Sequence, residues 1–106
     1  MKRNGADKIS VEFAERVRRR LKKHLKKIIL FGSRARGDFY EGSDYDILIV
    51  LDKREKDSQE MVLDESVEIM NKYYALIGCI VCDEKEWERK KRFPIGLNIL
   101  KEGVEL

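Results

Sequence analysis

The sequence contains few residues of the kinds that crosslink, bend or anchor a chain. Its 106 residues include one proline, two cysteines and one histidine. No apolar run approaches the roughly 18 residues that identify a membrane-spanning helix, and the polar residues 1–7 lack the apolar segment of a signal peptide. We therefore expect a cytoplasmic protein whose residues 1–106 form a single domain with one core of modest size.

The two cysteines are spaced as Cys79-x-x-Cys82, a spacing that occurs in zinc sites and in redox pairs. A zinc site would need further ligands, and the single histidine, His24, lies far away in the sequence. A redox pair normally lies at the start of a helix, whereas these cysteines lie within an apolar run. We therefore interpret both as plain buried thiols.

Charged residues make up 41% of the chain, and many of the cations fall on one predicted helix. Apolar residues recur every three to four positions over residues 11–26, which indicates an amphipathic helix. Its outer face carries Arg16, Arg18, Arg19, Arg20, Lys22, Lys23, Lys26 and Lys27. Such a face binds nucleic acid, an acidic partner or nucleotide phosphates, or is simply solvated. The lack of interleaved aromatic residues counts against recognition of single strands by stacking.

Three short apolar runs predict strands, at residues 28–31, 47–51 and 76–82. A second amphipathic helix separates the last two runs, and helix crossovers join parallel strands. Its apolar stripe, which we expect to face the core, consists of Leu63, Val67, Met70, Tyr74 and Ile77, and it is broadened by Val62, Ile69 and Tyr73. The prediction is an α/β domain: a small mixed sheet with helices packed mainly on one face. Strands one and two should be antiparallel, and strands two and three parallel.

The last quarter of the chain carries clear helix signals. Asp83 and Glu86 form a capping-box pattern, which predicts a third helix after the third strand. Pro94 predicts a further short helix that ends near Gly103. The remaining residues, 104–106, are too few to interpret.

The residues that can carry chemistry lie between the first two predicted strands. The first strand ends at Gly32, and the second begins directly after Asp44-Tyr45-Asp46. Residues two apart in a strand point to the same face, so we expect Asp44 and Asp46 to project together. Two unneutralised carboxylates repel each other. Mg²⁺, which is commonly held by one or two carboxylates plus substrate phosphates, would remove that repulsion.

A turn that favours anions lies opposite these carboxylates. Gly32 lets the backbone approach a ligand closely because it has no Cβ. Ser33 supplies a hydroxyl and opens a short helical turn over residues 34–36, which Gly37 ends. A turn that binds phosphate, facing a metal-binding carboxylate pair, suits phosphoryl or nucleotidyl transfer. The same residues also fit a plain solvated turn with acids at a strand end.

The order Gly32-Ser33, ten residues, then Asp44-x-Asp46 before an apolar strand resembles the signature of the polymerase-beta-like nucleotidyltransferase superfamily. The strings Gly-Ser-Arg-Ala-Arg-Gly-Asp and Ser-Asp-Tyr-Asp are similar to those of its smallest members, the minimal nucleotidyltransferases. Many of these are antitoxins paired with a helical HEPN-domain toxin.

The resemblance implies that fold and a transfer of AMP from ATP to an acceptor supplied by a partner, with a tyrosine of a HEPN toxin as the leading candidate. It implies that Asp44 and Asp46 hold Mg²⁺. Gly32 and Ser33 would hold the terminal phosphates, whose charge Arg34 or Arg36 would neutralise.

One acid of the superfamily's site is missing from the sequence. Its members usually carry a third carboxylate on the strand after the second helix, where this chain offers only Asp83. Parallel strands begin at the same end of a sheet, so a partner acid would occupy Gly78 or Cys79. We therefore infer that the third acid is absent and that transfer is slow. Two alternatives stay open: a non-catalytic antitoxin that neutralises its toxin by binding, and an RNA-binding protein that uses the basic first helix.

Overall fold

The computed structural model describes residues 7–106. Their elements, in chain order, are α1 (Lys8–Leu21), a 3₁₀ turn (Lys22–His24), β1 (Leu25–Phe31), α2 (Ser33–Arg36), β2 (Tyr45–Leu51), α3 (Lys56–Tyr73), β3 (Ile77–Asp83), α4 (Glu84–Lys90), α5 (Pro94–Glu102) and β4 (Val104–Glu105). We expected no signal peptide because residues 1–7 are polar. Of these residues, only Asp7 lies within the part of the chain that the structure describes.

The strands form one mixed sheet in the order β3-β2-β1-β4. β1 and β2 pair antiparallel, and β2 and β3 pair parallel across the α3 crossover, which confirms both predicted pairings. The short tail that the sequence pattern left uninterpreted is the fourth strand, and it pairs antiparallel with β1. β3 and β4 are therefore the two edges of the sheet.

Alternate residues of β2 enter two separate layers of the core. On one face, α1 and α3 cover Ile47 and Ile49. On the other, Trp87 of α4 and Ile99 of α5 pack on Leu48. The two long helices thus lie on one face and two short helices contact the other, which confirms the expected α/β architecture. Among residues 7–106, no helix is both long and apolar enough to cross a membrane.

Helix α1 departs from its predicted bounds at both ends. It begins earlier because Asp7 is its N-cap. The Asp7 carboxylate accepts a hydrogen bond from the Ser10 N–H at 2.9 Å, and the Ser10 hydroxyl oxygen accepts one from the Asp7 N–H at 3.0 Å. The helix ends at Leu21 rather than Lys26, and β1 already begins at Leu25. Leu25 continues the helical spacing although it starts the strand, so the pattern alone misplaced the boundary.

The centre of the apolar stripe that we expected α3 to bury is exposed, and only its margin faces the core. The buried residues of α3 are Ser58, Val62, Glu65 and Ile69. Val62, Ile69 and Ile77 of the predicted stripe are buried, whereas its exposed members are Leu63, Val67, Met70 and Tyr74. The centre was predicted wrongly because the buried face contains Glu65, whose carboxylate accepts hydrogen bonds from Arg16 and Arg20 of α1. A buried carboxylate needs such partners, and a hydrophobic pattern does not anticipate them.

The basic face of the first helix is partly neutralised within the protein. Arg16 and Arg20 form ion pairs with acids of α3 at 3.1–3.3 Å, and Arg18 donates to the carbonyl oxygen of Leu106 at 3.1 Å. Lys26 and Lys27 belong to β1 rather than to the helix. The continuous basic surface suggested by the sequence is therefore divided into smaller groups.

A further carboxylate, Glu12, joins α1 to the end of α3. It accepts hydrogen bonds from the Tyr73 hydroxyl and from Lys72 Nζ, the latter at 2.9 Å, and it pairs with Arg16. The hydrogen bond from Tyr73, followed by that from Lys72, lowers the pKa of Glu12 from 4.5 to about 2. The ionised form of Glu12 is thus favoured by folding.

Replacing Glu12 with Gln is expected to destabilise the fold near neutral pH and much less in acid. A carboxyl whose pKa is lowered by folding stabilises the fold above its unfolded pKa, near 4.5, and this contribution is lost as the pH falls towards 2. Urea unfolding of both proteins should show a difference in the free energy of unfolding that narrows by more than half between about pH 6 and about pH 3. A difference that stays constant over this range would mean that Glu12 acts through packing alone.

Candidate active site

The corner between β1 and α2, residues 32–36, brings the two parts of the sequence motif into contact. Phe31 pairs with Asp46 across the sheet, so Gly32 lies against the Asp46 side chain. A Cβ on Gly32 would lie 2.4 Å from Asp46 Oδ2, which is closer than real atoms approach. Gly32 also has a positive φ of 75°, which L side chains rarely adopt. Both features require glycine at the point where the carboxylate meets the backbone.

The two aspartates differ in environment. Asp44 is exposed and precedes β2 by one residue, whereas Asp46 lies within β2 and is half-buried. Burial, followed by the negative charge of Asp44, raises the pKa of Asp46; Glu102 adds to this, and Arg36 opposes it. The structure thus places Asp44 close enough to act electrostatically on Asp46.

This donor set fits a divalent cation. Carboxylate oxygens are the hard ligands that Mg²⁺ prefers, and a bound cation would offset the repulsion that raises the pKa of Asp46. In the part of the chain that the structure describes, no group of three or more His, Cys, Asp or Glu side chains is arranged to hold a metal ion. A cation held by Asp44 and Asp46 would therefore complete its coordination with water and substrate oxygens.

The strand beside the carboxylates supplies no third acid, as the sequence suggested. Gly78 of β3 pairs with Asp46, and a Cβ at that position would lie 3.8 Å from Asp46 Oδ1. Asp83 lies at the far end of β3 and caps α4: its carboxylate accepts from the Glu86 N–H at 2.8 Å. The position on β3 that faces Asp46 is therefore a glycine, which has no side chain to act as a third ligand.

A different acid, Glu102, does reach the corner, and the sequence analysis missed it. Glu102 is the last residue of α5, and its carboxylate accepts hydrogen bonds from the Gly32 N–H and from Arg36. The pairing of β4 with β1 brings it there. The sequence offered only the alternation of apolar Val104, charged Glu105 and apolar Leu106, which is the period of a strand.

The two arginines of the corner have different partners. Arg34 donates from Nε and Nη2 to the Ser43 carbonyl oxygen at 3.2 and 3.1 Å, and its guanidinium lies over the rings of Phe39 and Tyr45 at 4.3 and 4.4 Å. Arg34 thereby fixes the loop that leads to Asp44. Arg36 is exposed and pairs with Asp38 as well as with Glu102. Their contact with a nucleotide stays a prediction, as does that of Ser33.

The cysteines lie apart from this chemistry. Both are free thiols; Cys82 is buried and Cys79 is half-buried. Burial raises the pKa of Cys79 to about 12 and that of Cys82 to about 11. Both therefore remain protonated near neutral pH. The interpretation as a buried thiol is confirmed for Cys82, whereas Cys79 is only partly buried.

A mixed sheet whose first turn faces a carboxylate pair is the architecture of nucleotidyl-transfer domains, and sequence comparison agrees. The profile of the nucleotidyltransferase domain family matches residues 11–101, and the chain belongs to that family. A candidate protein adenylyltransferase of Methanocaldococcus jannaschii is 38% identical over 92% of this chain and 93% of its own length. A second candidate protein adenylyltransferase from the same organism is 33% identical. The matched region covers 84% of this chain and 63% of that relative's length.

Solved structures show the same fold. The crystal structure of a candidate nucleotidyltransferase from Sulfolobus solfataricus superposes with a TM-score of 0.54 at 28% identity, covering 92% of this chain and 76% of that one. A chain of a toxin–antitoxin structure with AMP-PNP gives a TM-score of 0.58 at 15% identity, covering 89% of this chain and 69% of its own. At that identity the second likeness concerns the fold alone.

Proposed function

We propose that this protein transfers AMP from ATP to a hydroxyl group on a partner protein, with Mg²⁺ as its metal. The observation that carries the proposal is the contact of the Asp46 carboxylate with Gly32, with Asp44 beside it. The turn that opens α2 therefore lies directly against a carboxylate that can serve as a metal ligand. Relatives named for protein adenylylation support a protein as the acceptor.

Each residue has a role within this proposal. Asp44 and Asp46 would hold Mg²⁺, which when bound supplies positive charge to the phosphates of ATP. Gly32, having no Cβ, lets the Asp46 carboxylate lie against the backbone of the turn, and Ser33 would offer a hydroxyl to a phosphate. Arg36 contributes a charged donor to the same corner.

The reaction breaks the bond between the α- and β-phosphates. The acceptor oxygen forms a bond to the α-phosphorus, pyrophosphate leaves, and the hydroxyl proton passes to solvent or to pyrophosphate. Gly78 occupies the place from which a third carboxylate could take that proton. General-base assistance is typically worth about 10²–10⁴-fold, so we expect slow transfer that suits a single modification of a partner rather than rapid turnover.

The fold relatives support a toxin as the class of partner. Toxin–antitoxin structures, including one with AMP-PNP, contain a chain of this fold. We propose that the acceptor is a HEPN-type toxin and that this protein is its antitoxin. A non-catalytic antitoxin, which neutralises the toxin by covering it, is the second candidate, and the missing third acid favours it. RNA binding has less support, because Arg16 and Arg20 are engaged with acids of α3.

Co-expression with the candidate toxin separates the two antitoxin roles. With wild-type protein, intact-mass spectrometry should show the toxin carrying one or more AMP groups. With Asp44→Asn, the added mass and the neutralisation of the toxin should both be lost. Neutralisation that persists in D44N, without added mass in either case, would contradict the catalytic proposal and favour masking.

A further inference from the structure

Glu102 is held in the corner by two kinds of donor. Its Oε1 accepts a hydrogen bond from the Gly32 N–H at 3.0 Å, and its two oxygens accept from Arg36 Nη1 at 3.2 and 3.1 Å. The Glu102 side chain is 20% exposed, compared with 45% for Arg36. A largely shielded carboxylate thus satisfies a backbone donor and a guanidinium together.

The fold delivers this carboxylate from the end of the chain. β4 pairs antiparallel with β1, and the same register, continued towards the end of β1, places Glu102 beside Gly32. The link from α5 to β4 is tight, since a Cβ at Gly103 would lie 2.3 Å from the Ile99 carbonyl oxygen. The position of Glu102 therefore follows from backbone packing and is not a loose surface contact.

This arrangement conflicts with the binding of a nucleotide at the same corner. The Gly32 N–H carries a single hydrogen, which Glu102 already accepts. A phosphate oxygen and the Glu102 carboxylate cannot both take it. Glu102 also adds a negative charge near Asp46, and this opposes the approach of a polyanionic triphosphate.

We infer that Glu102 acts as an internal anion at the phosphate-binding corner, and that the triphosphate of the nucleotide displaces it on binding. The inference rests on the proposed function and adds a regulatory element to it. On binding, the triphosphate replaces the Glu102 carboxylate as the acceptor of hydrogen bonds from Gly32 and Arg36. The affinity for nucleotide is therefore lower than it would be if Glu102 did not occupy these donors. Displacement moves the Glu102 side chain away from Gly32 and Arg36, while the pairing of β4 with β1 holds the end of α5 in place.

The test measures the affinity for MgATP, and for inorganic pyrophosphate with Mg²⁺, by isothermal titration calorimetry. It compares the wild type with Glu102→Gln and with Glu105→Gln. Gln at position 102 keeps the size of the side chain and removes its charge. Glu105 is a matched control because it pairs with Lys27 at 3.2 Å and has no contact with Gly32 or Arg36.

E102Q should bind both ligands about five- to fiftyfold more tightly than the wild type, because phosphate no longer displaces a charged acceptor. E105Q should stay within about twofold of the wild type. The KM for ATP should fall in E102Q while kcat changes less. Independently of any variant, the carbon-13 shift of the Glu102 carboxyl should change when MgATP is added to the wild type.

Three results would overturn the inference. Equal or weaker MgATP binding by a folded E102Q would mean that Glu102 supports the corner, and the proposed function would still stand. An equal gain in affinity in E105Q would mean that the tighter binding comes from the change in net charge and not from the position of Glu102. Absence of MgATP binding by all three proteins would overturn the proposed function and this inference with it.

Discussion

Replacing Asp46 with Asn is expected to lower the rate of AMP transfer by at least about a thousandfold while the protein stays folded. The substitution removes one of the two carboxylates proposed to hold Mg²⁺. Stability should not suffer, because burial and the charge of Asp44 raise the pKa of Asp46. An ionised group with a raised pKa costs folding free energy at neutral pH, and Asn removes that cost.

Transfer rates and thermal unfolding of the metal-free proteins together test this prediction. The midpoint of D46N should equal or exceed that of the wild type. Asp52, just beyond the opposite end of β2, offers a control: it pairs with His24 at 2.8 Å, and Asp52→Asn should keep near-normal transfer. A folded D46N that retains more than about a tenth of the wild-type rate would contradict the role assigned to Asp46.

Replacing Gly32 with Ala is expected to cost about 2–4 kcal/mol of stability and at least about a hundredfold in transfer rate. The new Cβ would lie 2.4 Å from Asp46 Oδ2, so the carboxylate or the backbone of the corner must move. The backbone itself, with φ of 75° and ψ of −159°, lies in a region that is essentially restricted to glycine. Urea unfolding and initial transfer rates measure the two losses.

Gly37 and Gly42 provide matched controls for the backbone effect. Both have positive φ, at 90° and 95°, but an added Cβ would meet nothing within 4 Å. Gly37→Ala and Gly42→Ala should each lose about 1–2 kcal/mol of stability from strain, with transfer reduced far less than in G32A. If all three variants lose activity equally, the contact between Gly32 and Asp46 has no special role.

The strand–loop–strand segment could be predicted from sequence because its two apolar runs contrast with the loop between them. Ile28–Phe31 and Ile47–Leu51 are apolar throughout, and most residues between them are charged, polar or glycine. This contrast predicted the antiparallel pairing and the approach of Gly32 to the carboxylates, although both strands begin earlier than predicted, at Leu25 and Tyr45. The crossover rule for parallel strands predicted that Gly78 and Cys79 lie at the same end of the sheet as the carboxylates, and the register pairs Gly78 with Asp46.

The orientation of α3 could not be predicted because its two faces mislead a hydrophobicity count. The exposed side carries large apolar residues, including Leu63 and Val67, whereas the buried side includes the polar Ser58 and Glu65. Glu65 is buried only because α1 brings Arg16 and Arg20 against it. This pairing of opposite charges arises only when α1 and α3 pack together, so the pattern of neither helix alone predicts it.

Glu102 illustrates the same limit at the site itself. It is 70 residues from its hydrogen-bond partner Gly32, and the two meet because a two-residue strand, β4, pairs with the edge of β1. An element of that length has no reliable signal of its own. The topology of the sheet indicates β3 as the place for a third acid, and Gly78 lies there. It gives no indication of Glu102, which reaches the corner from the C-terminal helix.

The central claim is that the corner formed by Gly32, Asp44 and Asp46 transfers a nucleotidyl group. Its most direct test incubates the purified protein with Mg²⁺, the candidate partner and ATP labelled at either the α- or the γ-phosphorus. We predict covalent label on the partner from α-labelled ATP alone, with release of pyrophosphate, and none with Asp44→Asn. Label from the γ-position, or no label despite a stable complex of the two proteins, would contradict the claim.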